Sequence, residues 1–180
     1  YSFLLAILCI ASALFFNVNY LLIFPFIPIQ ITLIDQFVEG FPPFVLTFER
    51  NIKPVEKHFL RRSLLLALPS ALMVVFSVLF IRLWGASHGW SAADMSTVSY
   101  YLLGSIGFLS VIRACLPLNI WRALLIVFSV VGFYASAVVL KNLIEISLLT
   151  ATTFPVYLAL MAIFTGVFIL TTILQKYEFD

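Results

Sequence analysis

Long apolar runs, separated only by short polar turns, constrain this chain more than anything else in it. A membrane-spanning helix needs about 20 consecutive apolar residues. Such runs occupy residues 21–46, 63–83, 95–115, 123–140 and 154–174, with a shortened one at 1–16. Hydrophobic residues make up 63% of the 180 positions and charged residues 10%, against about 25% charged in a soluble domain. Too little polar surface remains to cover a core in water, so the lipid bilayer is the solvent. The expected fold is all-α: a polytopic transmembrane bundle of about six helices. No repeat or linker divides it, so residues 1–180 read as a single transmembrane domain. The chain opens at Tyr1, inside an apolar run and without the basic n-region of a signal peptide. It reads as a fragment whose first helix is cut partway.

Lys and Arg set the orientation. With alternating sides, Arg50, Lys53, Lys57, Arg61, Arg62, Arg113, Arg122 and Lys176 gather on one side, while Arg82 and Lys141 are left on the other. The basic side is expected to be cytoplasmic. Loop 47–62 and the C-terminus then face the cytoplasm, and loops 84–94 and 141–153 are extracytoplasmic. Trp84, Trp90, Tyr100, Trp121 and Tyr177 sit near span ends, as interfacial aromatics do. Arg113 and Arg122 flank a short turn and are expected to snorkel. The net charge of +2 is small, and no nucleic-acid partner is expected. Cys9 and Cys115 lack metal or disulfide spacing and read as small buried hydrophobes. His58 and His88 have no second ligand nearby in sequence. Glu145 reads as a solvated loop acid.

The second run breaks the apolar pattern. From residue 28 to 51 it reads PIQITLIDQFVEGFPPFVLTFERN. Asp35 and Glu39 are four apart and share a helical face; Thr32 lies one turn above Asp35, and Gln36 lies about 100° around from it. Each acid costs about 2.5–3.5 kcal/mol at a membrane helix centre. Two together require a counter-charge, a cation, water or protonation, and no Lys or Arg is expected at their depth. Gly40-Phe41-Pro42-Pro43 follows directly. Glycine tolerates an unwound backbone and proline removes a donor, so the second helix is expected to break at Gly40–Pro43. Carbonyls freed there can join carboxylates in a hard-oxygen site suited to Ca²⁺, Mg²⁺ or Mn²⁺. Asp35 and Glu39 are therefore the candidate metal ligands, with Thr32, Gln36, Gly40 and Pro42 in support. The plainer alternative is two structural acids neutralised between helices.

These residues resemble the sixth transmembrane helix of P-type cation-transporting ATPases. The calcium-pump pattern of Pro, Gln, a polar residue, an acid, Gly and Pro is matched by Pro28, Gln30, Asp35, Glu39, Gly40 and Pro42. The segment FVEGFPPFVLTFE looks most like a bacterial, CtpE-type branch. The resemblance implies that this chain holds helices five to ten of such a pump. Asp35 and Glu39 would then be ion ligands, with Val38 where the family has a ligating Thr. The fourth span offers Ser96, Thr97, Ser99, Tyr100, Ser105 and Ser110 where two-site pumps carry an acid, which reduces the expected sites to about one. The resemblance further implies a transported divalent cation, Ca²⁺ above others, with Mg²⁺ and ATP bound in absent cytoplasmic domains. It implies a bacterial plasma membrane location, and the pump's N-terminal helices as partners. The phosphorylation motif DKTGT is missing, so the fragment is not expected to be catalytic alone. A secondary cation transporter and a non-transporting membrane scaffold are the alternatives.

Overall fold

In a computed structural model, residues 6–7, 26–49 and 59–179 are described. The predicted first span, the polar turn after it, and Arg50, Lys53, Lys57 and His58 lie outside the described residues. So do the side chains of Arg61, Arg62, Lys176 and Tyr177. Among the described residues every regular element is helical. A short helix α1 (Pro28–Ile34) runs into a π-helical turn (Asp35–Gly40) and then into α2 (Phe41–Leu46); three long helices follow, α3 (Phe59–Ser87), α4 (Ala92–Ala114) and α5 (Ile120–Val139), and α6 (Phe154–Phe179) closes the order. By length and composition α3, α4, α5 and α6 can each cross a membrane. The chain is thus an integral membrane protein with a helical-bundle fold.

Helix α4 is the centre of the bundle. Two-thirds (67%) of its most apolar stretch is buried, against 22–28% in the other three long helices. It packs against α3, α5 and α6 and also touches α1 and the π turn. The outer helices present apolar side chains at the spacing of one helical face, as Leu64, Leu68, Leu72, Phe76 and Phe80 do on α3. Such a face suits lipid. Helix α4 instead carries hydroxyls, and several of them pair with other helices, while those of Ser99 and Tyr100 are buried without a hydrogen-bond partner among the described residues. The Ser105 hydroxyl meets Tyr134 of α5 at 2.7 Å and Tyr157 of α6 at 2.8 Å, and the two tyrosines are 3.0 Å apart. This triangle joins three helices. Tyr100, expected at the interface, is instead fully buried and stacks on Phe133 with ring centroids 5.2 Å apart. Its ring fills the space between α4 and α5, which a position near a span end did not suggest.

The connection 141–153 folds back over the bundle. Ile144 and Ile146 are buried in it, and the Ser147 N–H donates to the Thr97 hydroxyl at 3.0 Å. The connection between α3 and α4 is short. Gly89 takes φ +68° there, a left-handed turn that suits glycine, and Ser91 caps α4 by accepting from the Asp94 N–H at 3.1 Å.

Candidate cation site

The acid-bearing helix shows a period of four. Phe26, Gln30, Ile34, Val38 and Pro42 are buried, while Thr32, Asp35, Gln36, Glu39 and Gly40 are exposed. The buried row packs on α4 and α5, and the polar row lies on the open side. Of the sequence candidates, Thr32, Asp35, Gln36, Glu39 and Gly40 thus share the open side of one helix, while Pro42 lies in the buried row.

The break expected at Gly40–Pro43 is not an unwound segment, and the irregularity lies about one turn earlier, sharing only Gly40 with it. The helix widens through Asp35–Gly40 and returns to α geometry at Phe41. The Phe41 N–H donates to the Gln36 carbonyl, five residues back, as a π turn requires. Two local causes are evident. An α-helix would aim the N–H groups of residues 42 and 43 at the carbonyls of Val38 and Glu39, but both positions are proline. At Gly40 a Cβ would stand 3.0 Å from the Asp35 carbonyl oxygen, so glycine lets the wide turn close on itself. π turns inside α-helices recur at functional sites.

Tertiary contacts fix this turn in place. A Cβ at Gly107 of α4 would lie 2.4 Å from Val38 Cγ1, and one at Gly132 of α5 would lie 2.4 Å from Phe37 Cε1. The two glycines are sockets that receive the residues between Asp35 and Glu39. Both ends of the helix are tied as well. At its N-terminal end the Gln30 amide nitrogen donates to the Ile144 carbonyl at 2.8 Å, and its oxygen accepts from the Ile27 N–H at 3.2 Å. At its C-terminal end the Arg122 Nε stands 3.0 and 2.9 Å from the two carboxylate oxygens of Glu49, and NH2 of the same guanidinium completes the pair. That guanidinium holds the Glu49 carboxyl below the usual carboxylate range.

A cavity of about 620 Å³ opens between this helix, α3 and α4. Glu39 lines it, together with Ser63, Arg113 and the hydrogen-bonded pair Ser70 and Ser110, whose hydroxyls are 2.8 Å apart. Arg113 thus shares a cavity with one of the two acids, although no basic residue was expected near them. Its guanidinium also stands 6.0 Å from the centroid of the Phe168 ring. Asp35 does not line this cavity. Thr32 donates its hydroxyl to the Pro28 carbonyl of its own helix at 3.0 Å. Among the described residues no three His, Cys, Asp or Glu side chains cluster as a ready metal site. What the geometry offers is two carboxylates one turn apart, next to backbone carbonyls displaced from α-helical pairing. That is a hard-oxygen arrangement. Four residues brace this helix, Gln30, Gly107, Arg122 and Gly132, and the sequence does not assign them that role. Each acts on a partner distant in the chain.

Fold and site together define a class: a polytopic helical membrane protein that carries acids on a proline-interrupted helix. Known proteins narrow it. The chain is 68% identical over 174 residues to a probable cation-transporting ATPase, exp7, of Streptococcus pneumoniae, an overlap of 96% of this chain and 22% of that protein. It is 34% identical over 143 residues to the calcium-transporting ATPase CtpE of Mycolicibacterium smegmatis, covering 74% of this chain and 18% of that one. The chain is thus similar, over most of its own length, to a segment of these cation-transporting ATPases, and spans about a fifth of the length of these relatives. No family model and no solved structure matches it.

Proposed function

We propose that this chain is the ion-binding and translocating membrane region of an ATP-driven P-type cation pump. The observation that carries the reading is the π turn, which sets Asp35 and Glu39 on one side of a helix beside prolines that disturb its carbonyl pairing. In this reading Asp35 and Glu39 bind the cation, which is the pump's substrate. Thr32, Gln36, Gly40 and Pro42 shape the backbone and the rim around them. Two carboxylates with carbonyl oxygens favour Ca²⁺, and the mycobacterial relative is a calcium-transporting ATPase. Mg²⁺ and ATP act in cytoplasmic domains elsewhere in the whole pump. Loop 47–62 and the C-terminus face the cytoplasm, loops 84–94 and 141–153 face outward, and the membrane is the bacterial plasma membrane. The acids are exposed on the side away from α5, so helices from the rest of the pump have room to complete the coordination shell.

The test is ATP hydrolysis by the full-length protein in membranes, titrated separately with Ca²⁺ and Mn²⁺ at fixed Mg²⁺. Losing one carboxylate ligand is expected to raise the half-stimulating concentration at least about tenfold, equivalent to about 1.4 kcal/mol of binding. Asp35→Asn and Glu39→Gln should each show that shift for the transported ion. Unchanged titrations in both variants would sink the reading.

A further inference from the structure

Glu49 lies three residues beyond the end of α2, where the acid-bearing helix gives way to the loop that leads to α3. It is ten residues from Glu39, a distance of about 15 Å along a helix. This end of the helix is not loose. Arg122 grips the Glu49 carboxylate through Nε and NH2. The remaining arm, NH1, donates to the carbonyls of Pro117 at 3.1 Å and Cys115 at 3.3 Å. Cys115 is the C-cap of α4, the helix at the centre of the bundle. One planar guanidinium therefore joins the exit of the acid-bearing helix to the end of the central helix. This forked geometry is what Arg supplies and Lys does not. The sequence suggests a different role for each residue: Arg122 as a snorkelling residue and Glu49 as part of a charged loop.

We propose that the Glu49–Arg122 pair is a positioning latch. It sets the height and rotation of the acid-bearing helix relative to α4, and so sets the affinity of the site at Asp35 and Glu39. The latch binds no ion itself; it acts through the helix. Its loss should lower cation affinity and leave the maximal rate within about twofold, because neither residue belongs to the site. The proposal rests on the reading of Asp35 and Glu39 as the cation site.

The experiment uses the full-length protein in membranes, with Ca²⁺ as the probe and hydrolysis and cation half-saturation read separately. Glu49→Gln and Arg122→Lys are each expected to raise the half-saturating Ca²⁺ about three- to tenfold. The exchanged pair, Glu49→Arg with Arg122→Glu, is expected to recover most of the shift. Wild-type titrations in the single variants would overturn the latch, as would an exchanged pair no better than either single variant. If all three variants fail to accumulate in the membrane, the pair is a folding element and the latch is overturned on that ground. Asp35→Asn, measured in parallel, separates the two ideas. A shift in Asp35→Asn without one in Glu49→Gln rejects the latch alone. No shift in Asp35→Asn together with none in Glu39→Gln rejects the cation site on which it stands.

Discussion

Gly107 shows how little material decides the position of the candidate ligands. It has no side chain, and the space it leaves is filled by Val38, which sits directly before Glu39. Adding one methyl group would place it 2.4 Å from a valine methyl. Valine is β-branched and stiff at χ1, so it cannot swing aside as a longer side chain would. Gly107→Ala is expected to destabilise the protein by about 1–3 kcal/mol through overpacking. It should also lower cation affinity by pushing the π turn outward. Combining it with Val38→Ala removes the clash and should restore much of both, readable by thermal unfolding in detergent and by cation titration. If the double variant is no better than Gly107→Ala, the socket is not what places the turn. Gly132 faces the edge of the Phe37 ring, which can tilt, so the same change there should cost less.

At the scale of the element, the acid-bearing helix is a rod held at its N-terminal end, its waist and its C-terminal end. Gln30 is the first of these ties. Its side chain is 1% exposed, and the carbonyl it reaches belongs to Ile144, which is fully buried. Removing the amide leaves a buried acceptor without its donor, at a cost of about 1–3 kcal/mol. Gln30→Leu is therefore expected to lower the unfolding midpoint and to loosen the 141–153 connection, seen as faster amide exchange around Ile144. A wild-type exchange pattern would show that the tie carries no load. The π turn gives the middle of the rod its irregularity, and its causes are local: glycine at 40 and prolines at 42 and 43. Pro69 within α3 leaves that helix unbroken. A single proline in a membrane helix is tolerated; the pair next to glycine changes the helix type.

At the scale of the whole molecule, the bundle is layered by chemistry. Hydroxyl-bearing α4 sits inside, and the strongly apolar faces of α3, α5 and α6 lie outside. The placement of charge predicts which way it stands in the membrane. His88 lies on the outer side in that scheme, in the turn between α3 and α4, and Asn119 lies on the inner side, before α5. Cysteine introduced at His88 should react with an impermeant maleimide added outside intact cells. Cysteine at Asn119 should react only after the membrane is opened. The reverse pattern would invert the topology and remove the cytoplasmic placement of Glu49 and its latch.

The sequence by itself determined the solvent, the fold class and the four long spans. Their ends fall within a few residues of the apolar runs, because length and hydropathy are properties of a segment alone. It also determined which acids share a face, since helical spacing is local, and that the helix changes character near Gly40, since glycine and proline act on their own backbone. Tertiary structure decided the rest. It braced the wide helical turn through Gly107 and Gly132. It drew Tyr100 from a supposed interface into the core. It brought Arg113 to the cavity of Glu39 and Arg122 to the carboxylate of Glu49. In each case the deciding partner lies far away in the chain, and a pattern read along one segment holds no information about which distant side chain will face it.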